Sequence, residues 1–188
     1  MILASASPRR LELLARLGLV PEAVDPANCD ETPHKAELPA DYARRIAAEK
    51  AMLVAARHPG KIVLAADTVV ACGRRILPKA ETAEQARACL NLLSGRRHRV
   101  LSAVTVVDAG GAARHRLSVS TLSFKRLGAA EIESYVAGGE WDGKAGGYAI
   151  QGLAESFVKH LAGSHSGVMG LPLFETRALL EAAGALHG

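Results

Sequence analysis

Ser5, Ser7, Arg9 and Arg10 lie in the opening run Met-Ile-Leu-Ala-Ser-Ala-Ser-Pro-Arg-Arg. Hydroxyls and guanidiniums placed this close together are oxyanion-binding groups. Pro8 suits a first helical turn, where its missing N–H has no partner to lose. A helix start adds free backbone N–H groups and a partial positive charge. Together these make an anion cradle, and polyphosphate is the obvious anion.

Asp67 is the sharpest single residue. It follows the apolar run Ile62–Ala66, and a carboxylate there is costly to bury unless it is paired or binds a metal. Read as a strand end, it sits where ligands gather in α/β sheets. Capping a backbone or pairing with an arginine is the bland alternative. Lys50, on a helix that otherwise turns alanine and leucine inward, and Lys79, after a proline, are candidate phosphate cations. At ~4 Å and an effective dielectric of ~20, each cation–phosphate contact is worth about 4 kcal/mol before desolvation, so several are needed to hold a triphosphate. Asp30-Glu31 reads as a solvated loop unless it folds near Asp67, where two carboxylates can share a divalent cation with substrate phosphates and water.

Residues 138–152 are dense in glycine and hold the single Trp of the chain, Trp141, followed by Tyr148 and Gln151. Glycine lets a backbone approach a ligand closely, and the amide of Gln151 can donate to and accept from a base edge. The spacing around Lys144 is not that of a P-loop. Gly163-Ser164-His165-Ser166-Gly167 has His at its centre and is no nucleophile elbow; it reads as a loop.

The elements that position these groups follow from periodicity. Residues 2–5 read as a buried strand and 8–17 as a helix ended by Gly18. Residues 20–38 are polar and turn-rich. Residues 39–57 are strongly helical, 61–71 a buried strand, and 76–77 a returning segment after a turn at Gly73. Thr82 caps a helix over 82–94. Residues 97–107 and 113–125 form a hairpin around Gly110-Gly111. A helix at 129–137, a loop over 138–152, a strand or short helix at 155–162, and a helix from Pro172 to 184 complete the chain. This pattern predicts a mixed α/β (α+β) fold with a central mixed sheet flanked by helices, two lobes around a cleft, and residues 1–188 as a single domain.

Composition narrows the function. With 188 residues, 49% of them apolar, the chain buries roughly 70% of its unfolded surface. Aromatics are only 4% and the net charge is +4, without basic runs. That argues against a nucleic-acid module and fits a small anionic ligand. Cys29, Cys72 and Cys89 are isolated, so no zinc or disulfide framework is expected, and free thiols point to a reducing compartment, the cytoplasm. Neither a signal peptide nor an apolar run of ~18 residues is evident, so no membrane partner is expected.

Taken together, these segments resemble the Maf family of nucleoside triphosphate pyrophosphatases. The resemblance rests on Leu3–Arg10, Asp30-Glu31, Ala48-Glu49-Lys50-Ala51, Ala66-Asp67-Thr68-Val69-Val70, Gly143–Gly152 and Gly170-Leu171-Pro172-Leu173. It implies a Maf/ITPase-like fold and hydrolysis of a nucleoside triphosphate to the monophosphate and pyrophosphate with a divalent metal, Mg or Mn. It implies Asp67 as proton acceptor and metal ligand, Glu31 as metal ligand, and Ser7, Arg10, Lys50 and Lys79 as substrate-binding residues. Arg9, Thr68 and Gln151 match the positions that separate subfamilies, and this set looks like the dTTP/UTP branch. Two departures stand out: Pro78-Lys79-Ala80 where the family has Gly-Lys-Pro, and His165-Ser166-Gly167 where it has Tyr-Ser-Asn. The alternatives are a 7-methyl-GTP-type pyrophosphatase and a nucleotide-binding regulator of cell division without turnover. A homodimer is left open.

Overall fold

The computed structural model describes residues 1–186. A seven-stranded sheet runs in the order β2-β1-β3-β6-β7-β9, with β4 also on β3. Its strands are β1 (Ile2–Leu3), β2 (Ala23–Val24), β3 (Val63–Cys72), β4 (Arg75–Leu77), β6 (Arg97–Val107), β7 (Ala113–Phe124) and β9 (Val158–Ala162). β1 pairs in parallel with β2 and β3, and the remaining pairings are antiparallel. The sheet is therefore mixed, as the alternation of apolar runs and helical patterns predicts. A separate two-stranded sheet joins β5 (Lys79–Ala80) to β8 (Lys144–Ala145).

Six α-helices pack around it: α1 (Pro8–Ala15), α2 (Pro39–Arg57), α3 (Ala83–Leu93), α4 (Ala129–Gly138), α5 (His165–Met169) and α6 (Leu173–Ala182). Each long helix carries its own end signals. α2 has Pro39 in its first turn, Asp41 beside it and Arg57 in its last turn, matching the helix dipole at both ends. α3 starts at the N-cap expected of Thr82, and Gln85 completes a capping box: Gln85 N–H donates to Thr82 Oγ1, and Thr82 N–H donates to the Gln85 side chain. The β6–β7 hairpin turns at Asp108, whose Oδ1 accepts from Gly110 and Ala112 N–H.

Alternation along β3 divides the core. Val63 and Ala65 pack with Ala51 and Val54 of α2, and Val69 packs with Ala43, Ile46 and Ala47 of the same helix. Leu64, Ala66 and Val70 face the opposite layer, with Leu13 and Leu14 of α1 and Leu179 and Leu180 of α6. The apolar patches on the α2 side are separated at one place, and Asp67 and Lys50 occupy it.

Several sequence expectations need correction. Asp67 is not at the tip of its strand: β3 continues five residues beyond it to Cys72, because Val69, Val70 and Ala71 have a full antiparallel partner in β6. The other flank of β3 supplies the opening. β1 pairs only with Val63 and Leu64, and β4 only with Val70 to Cys72. The flank around Asp67 thus has no strand beside it on that side, and the chain leaving β1 through Ser5 and Ser7 lines the same cavity. The polar segment 20–38 contains β2, and the glycine-dense segment 138–152 contains β8. Residues 155–162 are both candidates in succession, a 3-10 turn at Leu153–Phe157 and then β9. Part of the segment read as a loop at 163–167 is helical: Ser164 caps α5 by accepting from Gly167 N–H. Pro172 is the residue before α6 rather than its first. Among the described residues, no helix is long and apolar enough to cross a membrane.

Candidate active site

A cleft of about 410 Å³ opens at the unpaired flank of β3. Ser7, Arg9, Arg10, Glu31, Lys50, Asp67, Thr68, Lys79 and Gln151 all line it, so every site residue proposed from sequence converges on one cavity. Asp30 does not join them. Its carboxylate closes the local turn by accepting from Thr32 N–H at 2.9 Å.

One wall is a chain of alternating charges. Lys50 Nζ lies 2.9 Å from Asp67 Oδ1 and 2.7 Å from Glu31 Oε1, and Lys79 Nζ donates to Glu31 Oε2 at 2.6 Å. Asp67 is 4% exposed and Lys50 8%. Burial pushes the Lys50 ammonium down, but Asp67 and Glu31 outweigh it and hold its pKa above the ordinary lysine value. Burial likewise works against ionised Glu31, yet its hydrogen bonds to the two lysines bring its pKa down to about 2. Lys50 and Glu31 are therefore both charged at neutral pH.

The other wall is a network of neutral acceptors around a half-buried cation. Arg10 donates through Nε to Gly170 O at 2.9 Å and through NH1 to Ser5 Oγ at 2.7 Å. Burial lowers its pKa, with Asp67 opposing. Thr68 Oγ1 lies 3.0 Å from Ser102 Oγ, and Ser102 donates to Gly167 O at 2.6 Å. α5 thus presents its last carbonyls to Arg10 and Ser102. The loop expected beside the cleft packs there as a helix end. Ser7 stands at the N-cap of α1 without capping it, and its amide donates to Ser5 Oγ at 3.2 Å. Arg9 Nε is buried without a hydrogen-bond partner.

The glycine-rich segment forms the roof. Gly143 N–H donates to Ala80 O and Gly146 N–H to Pro78 O, which ties the segment to the strand bearing Lys79. Tyr148 is buried; its hydroxyl lies 2.9 Å from His98 Nε2, and Ala149 N–H donates to Tyr135 Oη at 3.0 Å. These anchors carry the backbone to Gln151, whose side chain is exposed in the cleft.

Sequence reasoning missed Ser102, Lys144 and the Gly170 carbonyl as parts of this site. Ser102 had a signal, being a hydroxyl inside the apolar run of β6, the same anomaly that exposed Asp67. A backbone carbonyl has no sequence signal.

Among the described residues, no group of three or more His, Cys, Asp and Glu side chains is placed to hold a metal ion. Glu31 and Asp67 nevertheless aim hard oxygen donors at a single positive charge, the Lys50 ammonium. Two carboxylates are what Mg²⁺ takes when phosphates and water complete its shell. The donor set fits a cation that arrives with a polyphosphate.

The family model described as Maf-like protein matches residues 1–183. The chain is 62% identical over 188 residues to the dTTP/UTP pyrophosphatase of Rhodospirillum rubrum, covering 100% of this chain and 90% of that protein. It is 64% identical over 184 residues to the dTTP/UTP pyrophosphatase of Novosphingobium aromaticivorans, covering 98% and 92%. Among solved structures, a HAM1 protein from Coxiella burnetii aligns over 97% of this chain and 98% of its own, with a TM-score of 0.52 and 15% identity; that likeness is one of fold. The chain belongs to the Maf family.

Proposed function

We propose that this protein hydrolyses dTTP and UTP to the monophosphate and pyrophosphate. The observation that carries the reading is the placement of Asp67: a buried carboxylate held by Lys50 on the wall of a cleft whose other charged groups are mostly cations. Full-length relatives at 62% and 64% identity that bear the dTTP/UTP pyrophosphatase name support the substrate class.

Asp67 has one oxygen on Lys50 and a second with which to take a proton from water. That water attacks the α-phosphorus, a new P–O bond forms, and the bond from the α-phosphorus to the bridging oxygen breaks. Pyrophosphate leaves with that oxygen. Phosphoryl transfer of this kind depends on positioning and electrostatics rather than on a covalent intermediate. Arg10, Lys50 and Lys79 stabilise the charge that develops on the phosphates, and Ser7 offers them a hydroxyl. Glu31 and Asp67 would hold a divalent cation, Mg²⁺ or Mn²⁺, which when bound neutralises phosphate charge.

Thr68 and Gln151 line the same cleft, and we assign them to the base. Uracil and thymine present an imide edge with both donor and acceptor atoms, which the amide of Gln151 can pair. The free thiols of Cys29, Cys72 and Cys89 support a cytoplasmic site of action.

The test is a panel of dTTP, UTP, CTP and 7-methyl-GTP, scored by released pyrophosphate with and without Mg²⁺ or Mn²⁺. Metal-dependent release from dTTP and UTP is expected. Preference for 7-methyl-GTP would overturn the substrate assignment, and tight binding of dTTP without release would make the protein a nucleotide sensor instead.

A further inference from the structure

The charges lining the cleft are unevenly matched. Lys50 and Lys79 are paired with Asp67 and Glu31. Arg10 rests on a hydroxyl and a carbonyl. Among the described residues, neither Arg9 nor Lys144 has an ion-pair partner, although both line the same cavity.

Lys144 lies in β8, directly opposite Ala80. It is anchored by its neighbours, with Gly143 N–H on Ala80 O and Gly146 N–H on Pro78 O. Its ammonium is curled onto the carbonyl of Asp142 at 2.6 Å. That contact uses one of three donors, and a backbone carbonyl leaves the charge uncompensated. Burial, and after it the nearby Arg9, hold its pKa below the ordinary lysine value, with the Asp142 carboxylate only partly opposing them. On the same lining, Arg9 Nε is buried and unpartnered. Two neighbouring cations with spare donors in an enclosed cleft are stabilised by an anion between them.

Resting on the pyrophosphatase reading, we propose that Lys144 is a substrate-binding residue which, with Arg9, takes negative charge of the polyphosphate at the roof of the cleft. On binding, its ammonium exchanges the Asp142 carbonyl for a phosphate oxygen. The triphosphate then meets Lys50 and Lys79 beside their carboxylates and Lys144 at the roof.

Calorimetric binding of inorganic tripolyphosphate tests this without relying on turnover. Lys144→Met is expected to weaken binding roughly tenfold and to raise KM for dTTP by a similar factor, with kcat within about twofold, as expected for loss of binding shared by ground and transition states. Lys144→Arg recovers most of the affinity. The same change at the exposed Lys159 on β9 leaves it unaltered. Unchanged tripolyphosphate affinity in both Lys144→Met and Lys144→Gln would sink the proposal. A shift in preference between dTTP and CTP at constant tripolyphosphate affinity would overturn it too, by placing Lys144 at the base. Should the parent protein release no pyrophosphate from any nucleotide while Lys144→Met still weakens tripolyphosphate binding, the activity reading fails and the anion site stands.

Discussion

Lys50 and Asp67 meet at 2.9 Å across the boundary between α2 and β3, each nearly closed off from solvent. Two ions taken out of water together are tolerable, whereas one alone is not. Lys50→Met should therefore destabilise the fold by about 3 kcal/mol, because it strands the Asp67 carboxylate. Adding Asp67→Leu to that variant should restore part of the loss. Urea unfolding of the parent, the single and the double variant reads both effects, and a double variant weaker than Lys50→Met alone would contradict the account.

Asp67→Asn keeps the shape of the side chain and removes its basicity. Turnover of dTTP should fall by about 10²–10⁴-fold, the usual range for loss of a general base, while circular dichroism shows the fold retained. Full turnover in a folded Asp67→Asn protein would remove Asp67 from the chemistry.

His98 makes stability depend on pH. Its ring is buried between Phe124 and Tyr148, and burial brings its pKa down from 6.5 to about 4. The folded state thus binds this proton less readily than the unfolded chain. The associated stability is fully present above about pH 6.5 and is lost as pH falls toward about 4, amounting to about 3 kcal/mol. Urea midpoints for the parent should drop across that window. In His98→Phe the drop should be smaller, although the variant starts lower because the Tyr148 hydroxyl loses its partner.

Gly147 has a φ of +68°, and a Cβ there would stand 3.2 Å from Ala86 Cα and 3.2 Å from Cys89 Cβ. Backbone on α3 cannot give way as a side-chain tip does. Gly147→Ala should cost about 2 kcal/mol or more through strain and overpacking. It should also raise KM, because the same residue leads into Tyr148 and Gln151. Thermal unfolding and dTTP kinetics measure the two consequences separately.

Gln151→Ala should lower kcat/KM for dTTP and UTP by roughly ten- to a hundredfold and change CTP turnover much less, since only the imide edge loses a matched partner. Equal losses on all three nucleotides would place Gln151 away from the base.

Much of the fold was legible because apolar period and local signals agreed: Thr82 for α3, the apolar pattern of residues 39–57 for α2, Gly110-Gly111 for the hairpin. The short strands were not. β2 and β8 contain two residues each, too few for alternation to register, and they exist through partners far away in sequence. Asp67 was legible as an anomaly in an apolar run, but its place along β3 was not, because the gap beside it depends on where β1 and β4 end. Glu31 shows the same limit: nothing in Asp30-Glu31 says which carboxylate turns inward. That choice is made by Lys50 and Lys79, and by Tyr42, whose hydroxyl holds the Glu31 carbonyl at 2.7 Å.

Because β3 alternates its faces, consecutive residues serve different tasks: Asp67 turns toward α2 and Lys50, Thr68 toward Ser102 and α5. A slip of one position in the β3–β6 ladder would exchange the two, putting a hydroxyl among the ions and a carboxylate among the carbonyls. On the proposed assignment, reactivity and selectivity are thus locked at a fixed offset of a single peptide unit, and new nucleotide preferences would arise by exchanging the residue type at position 68 rather than by sliding the strand that bears it.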